Sequence, residues 1–285
     1  MLLGVDIGYS TTKLIGQYTE LKFASIVGTG RERNFTSSKD TDIELEYQGR
    51  RYFIGDLAKR ESWDATMAFD RNKVNHMNTK LLLLAALGQA YKGEVWITTG
   101  LPISDYREQR KLLAQALPGC YKIRINGEEK IIIIKDVIVF PQALGALFAI
   151  SDKIKHNKRT GIIDIGFKTT DFAVLEDGLI YNDRLSRSID TGISTAYEMT
   201  ALEQNIDFME VEFADDKALQ AVAIKIQDSI KRVWRDTYFD MVYLCGGGGI
   251  ALQNYFPDAI LLPNAQFKNA EGFYIVSKNK FGGLV

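Results

Sequence analysis

Two stretches of this chain carry nearly the same turn. GVDIGYSTTKLIG (Gly4–Gly16) and IDIGFKTTDFAVL (Ile163–Leu175) share D-I-G-aromatic-x-T-T, once at the start and once past the middle of 285 residues. A chain that repeats so specific a strand–turn–strand pattern is constrained to two similar halves, each opening on one hairpin. Glycine at the bend lets backbone approach an anion closely. Successive N–H groups around such a bend form a concavity that binds phosphate oxygens. Gly8 and Gly166 occupy the bends. In the first copy the hydroxyls of Ser10, Thr11 and Thr12 add donors, and Lys13 adds a point charge suited to a β- or γ-phosphate. The second copy runs through Lys168 and Thr169; Lys168 either adds charge near the phosphates or points to solvent.

Asp6 and Asp164 each stand at a strand end. A carboxylate there cannot meet phosphate favourably, and its useful role is to hold a hydrated Mg²⁺, which keeps waters and takes one or two carboxylates. Two clamps plus a metal describe a nucleoside triphosphate site. A single D-x-G turn is commonly a β-turn without function; two copies in equivalent places are not so easily accidental. Neither copy fits G-x-x-x-x-G-K-[ST], and no G-x-G-x-x-G follows the first strand, which argues against P-loop and Rossmann sites.

Further glycines join this pattern. In LCGGGGIAL (Leu244–Leu252) an apolar strand ends in four glycines before a helical segment. Close approach of backbone to a flat ligand such as adenosine explains Gly246, Gly247 and Gly248 better than flexibility after a core strand does. Gly192, in IDTGIS, opens a helix expected to face the same ligand.

The order of elements supports a duplication. Strands are expected over residues 1–8, 11–18, 20–27, 43–47 and 51–54, a helix over 78–91 ending in KG, and a buried strand over 94–99. Helix 106–116, strands 122–125 and 130–134 about an NGEE turn, a strand 136–140 and an apolar helix 142–155 complete the first half. The second half reads as strands 160–165, 170–175 and 179–185, a helix from Gly192 to about Leu202, a long amphipathic helix 215–236, strand 241–245 and a short closing helix. This is an α/β chain of two similar lobes about a cleft, residues 1–158 with a small insertion at about 19–75, and residues 159–285.

Composition narrows the partners. Net charge is −1, from 35 basic and 36 acidic residues, which argues against nucleic-acid or membrane binding by bulk charge. KIKHNKR (Lys153–Arg159) is the one local basic run, read as a solvated turn. Two separated cysteines and two distant histidines make zinc an unsuitable ligand and a reducing cytoplasm the expected compartment. Asp6 interrupts the apolar start, so no signal peptide is expected, and LLLLAALG (Leu81–Gly88) is too short to span a bilayer.

At these motifs the chain resembles the actin superfamily. DIGYSTTK and DIGFKTTD resemble its two phosphate motifs, FPQALGALFA (Phe140–Ala149) and FKNAEGF (Phe267–Phe273) its two connecting helices, and LCGGGGIAL its adenosine motif. TTGLPISDY (Thr98–Tyr106) and NAQFKNAEGF (Asn264–Phe273) resemble the plasmid-segregation actins of the ParM type and their archaeal relatives. The resemblance implies an actin-like ATPase fold of two ribonuclease-H-like lobes around a nucleotide. It also implies that Gln142 orients the attacking water while Asp6 and Asp164 hold the metal. Two departures stand out: Ser10 and Lys168 replace the second glycine of each hairpin, and only Glu203–Ala214 lies where a second-lobe insertion subdomain would be. Segregation actins similar to AlfA lack that subdomain.

The function this implies is a filament-forming ATPase that takes Mg-ATP, or GTP, and moves plasmid DNA through a DNA-binding adaptor, without touching DNA or membrane itself. The alternatives are a non-dynamic actin-like scaffold and a small-molecule kinase of the same fold. A kinase needs a base at the cleft floor and an enclosed substrate, and the missing subdomain would leave a substrate poorly enclosed.

Overall fold

The computed structural model describes residues 1–32, 39–67, 77–178 and 180–284. Parts of the expected insertion (residues 33–38 and 68–75), with His76 and Leu179, lie outside the described residues. The chain divides into two units. One comprises Met1–Leu101, Glu108–Phe140 and Phe273–Val285; the other comprises Pro102–Arg107 and Pro141–Gly272.

The first unit is built on strands β1 (Leu2–Ile7), β2 (Thr11–Ile15), β3 (Glu20–Ala24), β4 (Ile26–Thr29), β5 (Ile43–Tyr47) and β6 (Arg50–Ile54). Helix α1 (Asp56–Glu61), strand β7 (Thr66–Met67), helix α2 (Met77–Ala90), strand β8 (Gly93–Leu101), the part of helix α3 (Ile103–Ala116) from Glu108 on, and strands β9 (Gly119–Ile125) and β10 (Glu128–Pro141) follow. Its described strands form one sheet in the order β3-β2-β1-β8-β10-β9-β5-β6-β4-β7. β1 pairs antiparallel with β2 and parallel with β8. The apolar run Leu81–Gly88 is wholly buried in α2, which is why it reads as apolar on every side. Between α1 and β7, Ser62 Oγ donates to Thr29 O and Asp64 accepts from Thr29 N–H at 2.8 Å. Trp63, held between these two anchors, is 99% exposed.

The second unit repeats the opening of the first. It holds α4 (Leu144–Phe148), β11 (Thr160–Ile165), β12 (Thr170–Glu176), β13 (Ile180–Tyr181), β14 (Arg187–Ile189), α5 (Ser194–Gln204), α6 (Asp216–Trp234), β15 (Met241–Cys245), α7 (Gly247–Leu252), β16 (Ile260–Leu261) and the first turn of α8 (Lys268–Phe281). Its sheet runs β13-β12-β11-β15-β16, with β14 on β12. β11 pairs antiparallel with β12 and parallel with β15, as β1 does with β2 and β8. Asp215 caps α6 by accepting the Lys217 N–H at 2.7 Å, and Val222, Ile226, Ile230 and Trp234 recur every fourth residue on its buried face. Trp234 meets Phe172 edge-on, with ring centroids 5.7 Å apart, and its Nε1 donates to Leu185 O. Residues 205–215, between α5 and α6, hold no more than the single 3-10 turn Phe208–Glu210.

Several elements differ from expectation. The helix expected over residues 142–155 is only α4, followed by a 3-10 turn at Ser151–Lys153. β10 runs through both expected strands and on to Pro141, and Ala143 turns at φ 63° before α4 starts. Residues 144–147 are all buried, so the apolar run gave no period from which to mark its ends. The strand expected over 179–185 stops at Tyr181, because Asn182 Oδ1 accepts the N–H groups of Arg184 and Leu185 and folds the chain into a turn. α3 starts earlier than expected, at Ile103, with Pro102 O accepting from Asp105 and Tyr106. The closing helix is the fourteen-residue α8 rather than a short one. In the run Lys153–Arg159, Lys158 pairs with Asp240 at 2.6 Å and Arg159 with Glu176 at 2.8 Å, so part of its charge is spent within the fold.

α4 and the first turn of α8 cross at two glycines, and a Cβ on Gly272 would overlap the carbonyl of Gly145. Gly272→Ala therefore forces the two helices apart. We expect it to lose about 1–3 kcal/mol and to lower the thermal denaturation midpoint by several degrees; an unchanged midpoint would show that the crossing is not tight.

Candidate functional site

The two repeated hairpins close in the same way. The Gly8 N–H donates to Thr11 O at 3.1 Å, and the Gly166 N–H donates to Thr169 O at 2.9 Å. Across the first ladder Asp6 faces Lys13; across the second Asp164 faces Asp171. The two motifs thus differ at their last position, and the difference decides the electrostatics of each unit.

In the first unit Asp6 is buried at the end of β1, and Lys13 Nζ lies 3.3 Å from its Oδ2. A Cβ on Gly8 would stand 3.7 Å from Lys13 Nζ, so the amine lies over the bend. Ser10 and Thr11 are partly exposed beside it, and the Ser10 carbonyl accepts from Ser25. Thr12 corrects the expectation. It is fully buried, with its hydroxyl 2.9 Å from Ser25 Oγ, because its place in β2 turns it into the core. Of the three hydroxyls, Ser10 and Thr11 remain candidates for a ligand.

In the second unit Asp164 is buried and accepts at Oδ2 from Asn269 Nδ2 at 2.6 Å. Asn269 Oδ1 accepts the Ala143 N–H at 3.0 Å. Gln142, partly exposed, precedes Ala143, so one amide joins the strand-end carboxylate to the segment that carries Gln142. Lys168 is half-buried and Thr169 buried. Gly246, at φ 85°, packs against β11: a Cβ there would overlap Ile165 O and stand 2.6 Å from Asp164 Oδ1. Gly248 sits against Ile165 too, and Gly192 against the Phe167 carbonyl. Neighbouring backbone at Gly192 and Gly246, and the Ile165 side chain at Gly248, leave no room for a Cβ, a nearer cause than the flat ligand expected from the sequence. Gly247 is exposed at the start of α7.

Sequence reasoning missed Asn269, Asp171 and Ser188. FKNAEGF contains Asn269, but nothing local marks it as a partner of Asp164. Asp171 is buried, and its Oδ1 accepts from the Ile103 N–H at 2.8 Å and from the Ser188 hydroxyl. Ser188 Oγ in turn accepts the Ser104 N–H at 2.9 Å. Burial pushes the Asp171 carboxyl up to about 7; the Ser188 and Ile103 hydrogen bonds oppose that, while the charges of Asp164 and Asp105 add to it.

Among the described residues no cluster of three or more histidine, cysteine or carboxylate side chains could hold a metal by itself. A hydrated Mg²⁺ needs only one or two carboxylates, and buried Asp6 and Asp164 are of the right chemistry. Residues 4–145 match the family described as actin like proteins N terminal domain. The chain is an actin-like protein. Its structure is similar over 98% of its length to 99% of Ta0583, an archaeal actin homologue, at 20% identity and a TM-score of 0.83. It is similar to the same protein in complex with ADP, at 20% identity and a TM-score of 0.79, over 98% and 99% of the two chains. It is also similar over 98% of its length to 99% of ParM from a fifteen-stranded filament of Clostridium botulinum, at 24% identity and a TM-score of 0.83. These likenesses show the actin-like fold, as the motifs led one to expect. No protein of curated function matches the chain.

Burial holds the Asp171 carboxyl up at about 7, well above the ordinary carboxylate range. Between about pH 4 and 7 the folded protein therefore holds a proton that the unfolded chain has lost, and stability falls as pH rises through that window. Asp171→Asn keeps the acceptor for Ile103 and should flatten the dependence. Urea denaturation at several pH values tests this: equal slopes in wild type and variant would refute it.

Proposed function

We propose that this actin-like protein is a nucleotide-dependent filament former that binds and hydrolyses ATP with Mg²⁺. The observation that carries the reading is the repeated hairpin, closed in both units by the same glycine-to-threonine backbone bond beside a buried aspartate. Gly8, Ser10, Thr11 and Lys13 would bind phosphate from the first unit, and Gly166, Lys168 and Thr169 from the second. Asp6 and Asp164 would hold the waters of the metal, which supplies charge neutralisation on the phosphates when bound. Gln142, an uncharged amide, would orient the attacking water without repelling the γ-phosphate. Gly247, exposed where α7 starts, would lie nearest the adenosine, with Gly192, Gly246 and Gly248 shaping the backbone around it. GTP is the alternative nucleotide. Residues 1–158 and 159–285 would be the two lobes of the duplication.

Self-assembly is supported by the filaments of the ParM relative. ATP-bound subunits would assemble, and loss of γ-phosphate contacts on hydrolysis would weaken the lattice. The cargo would be plasmid DNA held through a DNA-binding adaptor, since 35 basic and 36 acidic residues give no surplus charge for direct DNA contact. The short link between α5 and α6 matches the AlfA-like pattern in which the second-lobe insertion is reduced. The cytoplasm is the proposed compartment; among the described residues no helix is long and apolar enough to cross a membrane.

Light scattering and phosphate release on adding Mg-ATP test the reading together. Reversible scattering that decays as phosphate appears supports it. Persistent polymer without hydrolysis would favour a scaffold, and ADP release that depends on an added small molecule would favour a kinase. Asp164→Ala should lower turnover at least a hundredfold while leaving the circular dichroism spectrum unchanged; undiminished turnover would remove Asp164 from the metal role.

A further inference from the structure

Asn269 is the second residue of α8, yet its side chain bonds none of that helix's own amides among the contacts just described. It is 7% exposed, and its amide is committed at both ends. Oδ1 accepts the Ala143 N–H at 3.0 Å and Nδ2 donates to Asp164 Oδ2 at 2.6 Å. The orientation of the amide is fixed by its partners: a backbone N–H can only donate, so the oxygen must face Ala143 and the nitrogen must face the carboxylate.

Each end holds something the proposed chemistry needs fixed. Ala143 sits at φ 63° and ψ −49°, outside the regions favoured by residues with a Cβ, and such backbone persists only where its surroundings over-determine it. Gln142 is the residue before it. On the other side, Asp164 is enclosed between Asn269 at Oδ2 and the Gly246 backbone at Oδ1, where there is no room for even a Cβ. The 2.6 Å bond from Nδ2 also leaves the Asp164 side chain little freedom to turn.

We infer that Asn269 is a positioning residue, resting on the function proposed above: one amide sets both the rotamer of Asp164 and the backbone that presents Gln142. It touches neither substrate nor metal. It fixes the two groups relative to each other, so that the water-orienting amide and the metal-holding carboxylate share one frame.

The test is a pair of double-mutant cycles on the full-length protein. Asn269→Ala should lower kcat by about tenfold to a hundredfold, the usual range for a residue that orients a ligating group, with the KM for ATP within about threefold of wild type. Made on top of Gln142→Ala, it should cost a smaller factor than it does alone, because one of the two groups it positions is gone while Asp164 remains. Asn269→Asp keeps the acceptor for Ala143 but sets a second carboxylate against Asp164 in place of the donor, and should lower kcat at least as much as Asn269→Ala. Unchanged kcat in Asn269→Ala, or a full independent loss in the Gln142→Ala background, would overturn the inference.

The second cycle needs no nucleotide. Thermal denaturation of the nucleotide-free protein should show that Asn269→Ala and Asp164→Ala shift the midpoint less together than the sum of their separate shifts; additive shifts would overturn the coupling. If wild type proves unable to hydrolyse ATP, the function proposed above fails, and this second cycle still decides whether Asn269 holds Asp164.

Discussion

One backbone hydrogen bond shapes each half of this molecule. The bend glycine donates to the threonine carbonyl three residues on, and this turns the chain so tightly that the preceding aspartate is left at the end of a strand flanked on both sides. β1 lies between β2 and β8, and β11 between β12 and β15. A carboxylate at such a place is buried by the sheet that carries it, and burying a charge is costly without a partner. Everything else near the two bends reads as a response to that requirement.

The two halves meet it differently. In the first, the residue across the ladder is Lys13, and the pair is nearly neutral as it stands. In the second, the same position holds Asp171, which would add a second negative charge. The structure manages this by giving each carboxyl its own donors: Asn269 for Asp164, and Ile103 with Ser188 for Asp171. Asp171 is also the group whose proton is held up to about 7. The duplication has thus kept the backbone of the turn and let the charge around it diverge. One copy sets a cation against its strand-end carboxylate; the other sets an amide there.

The fold was legible in the sequence to the extent that its signals were local. The hairpins, the buried strands 94–99 and 241–245 and the long helix ending at Trp234 all announce themselves through glycine bends, apolar runs and fourfold spacing, though nothing in the sequence says that those strands pair parallel with β1 and β11. α4 did not, because a stretch buried on every side has no periodicity from which to mark its ends. β14 and β16 were missed because strands of two or three residues carry too little pattern. Around the candidate site, repetition marks the motif residues as candidates, but it does not say which way each one faces: Thr12, with a hydroxyl in the right string of letters, turns into the core along β2. Asn269 lay beyond reach for another reason. Its partners are 105 and 126 residues away in the chain, and no rule of spacing connects an amide in the last helix with a carboxylate at a strand end.

The loop that follows α1 has a practical consequence. Trp63 stands fully in water on backbone anchored at Ser62 and Asp64, whereas Trp234 is packed on Phe172 with its ring nitrogen committed to Leu185. A collisional quencher such as iodide will reach the first indole and be shielded from the second. The molecule therefore carries its own optical reporter: a blue shift in the quenchable part of its emission marks whatever comes to cover that corner of the first unit, with no dye attached.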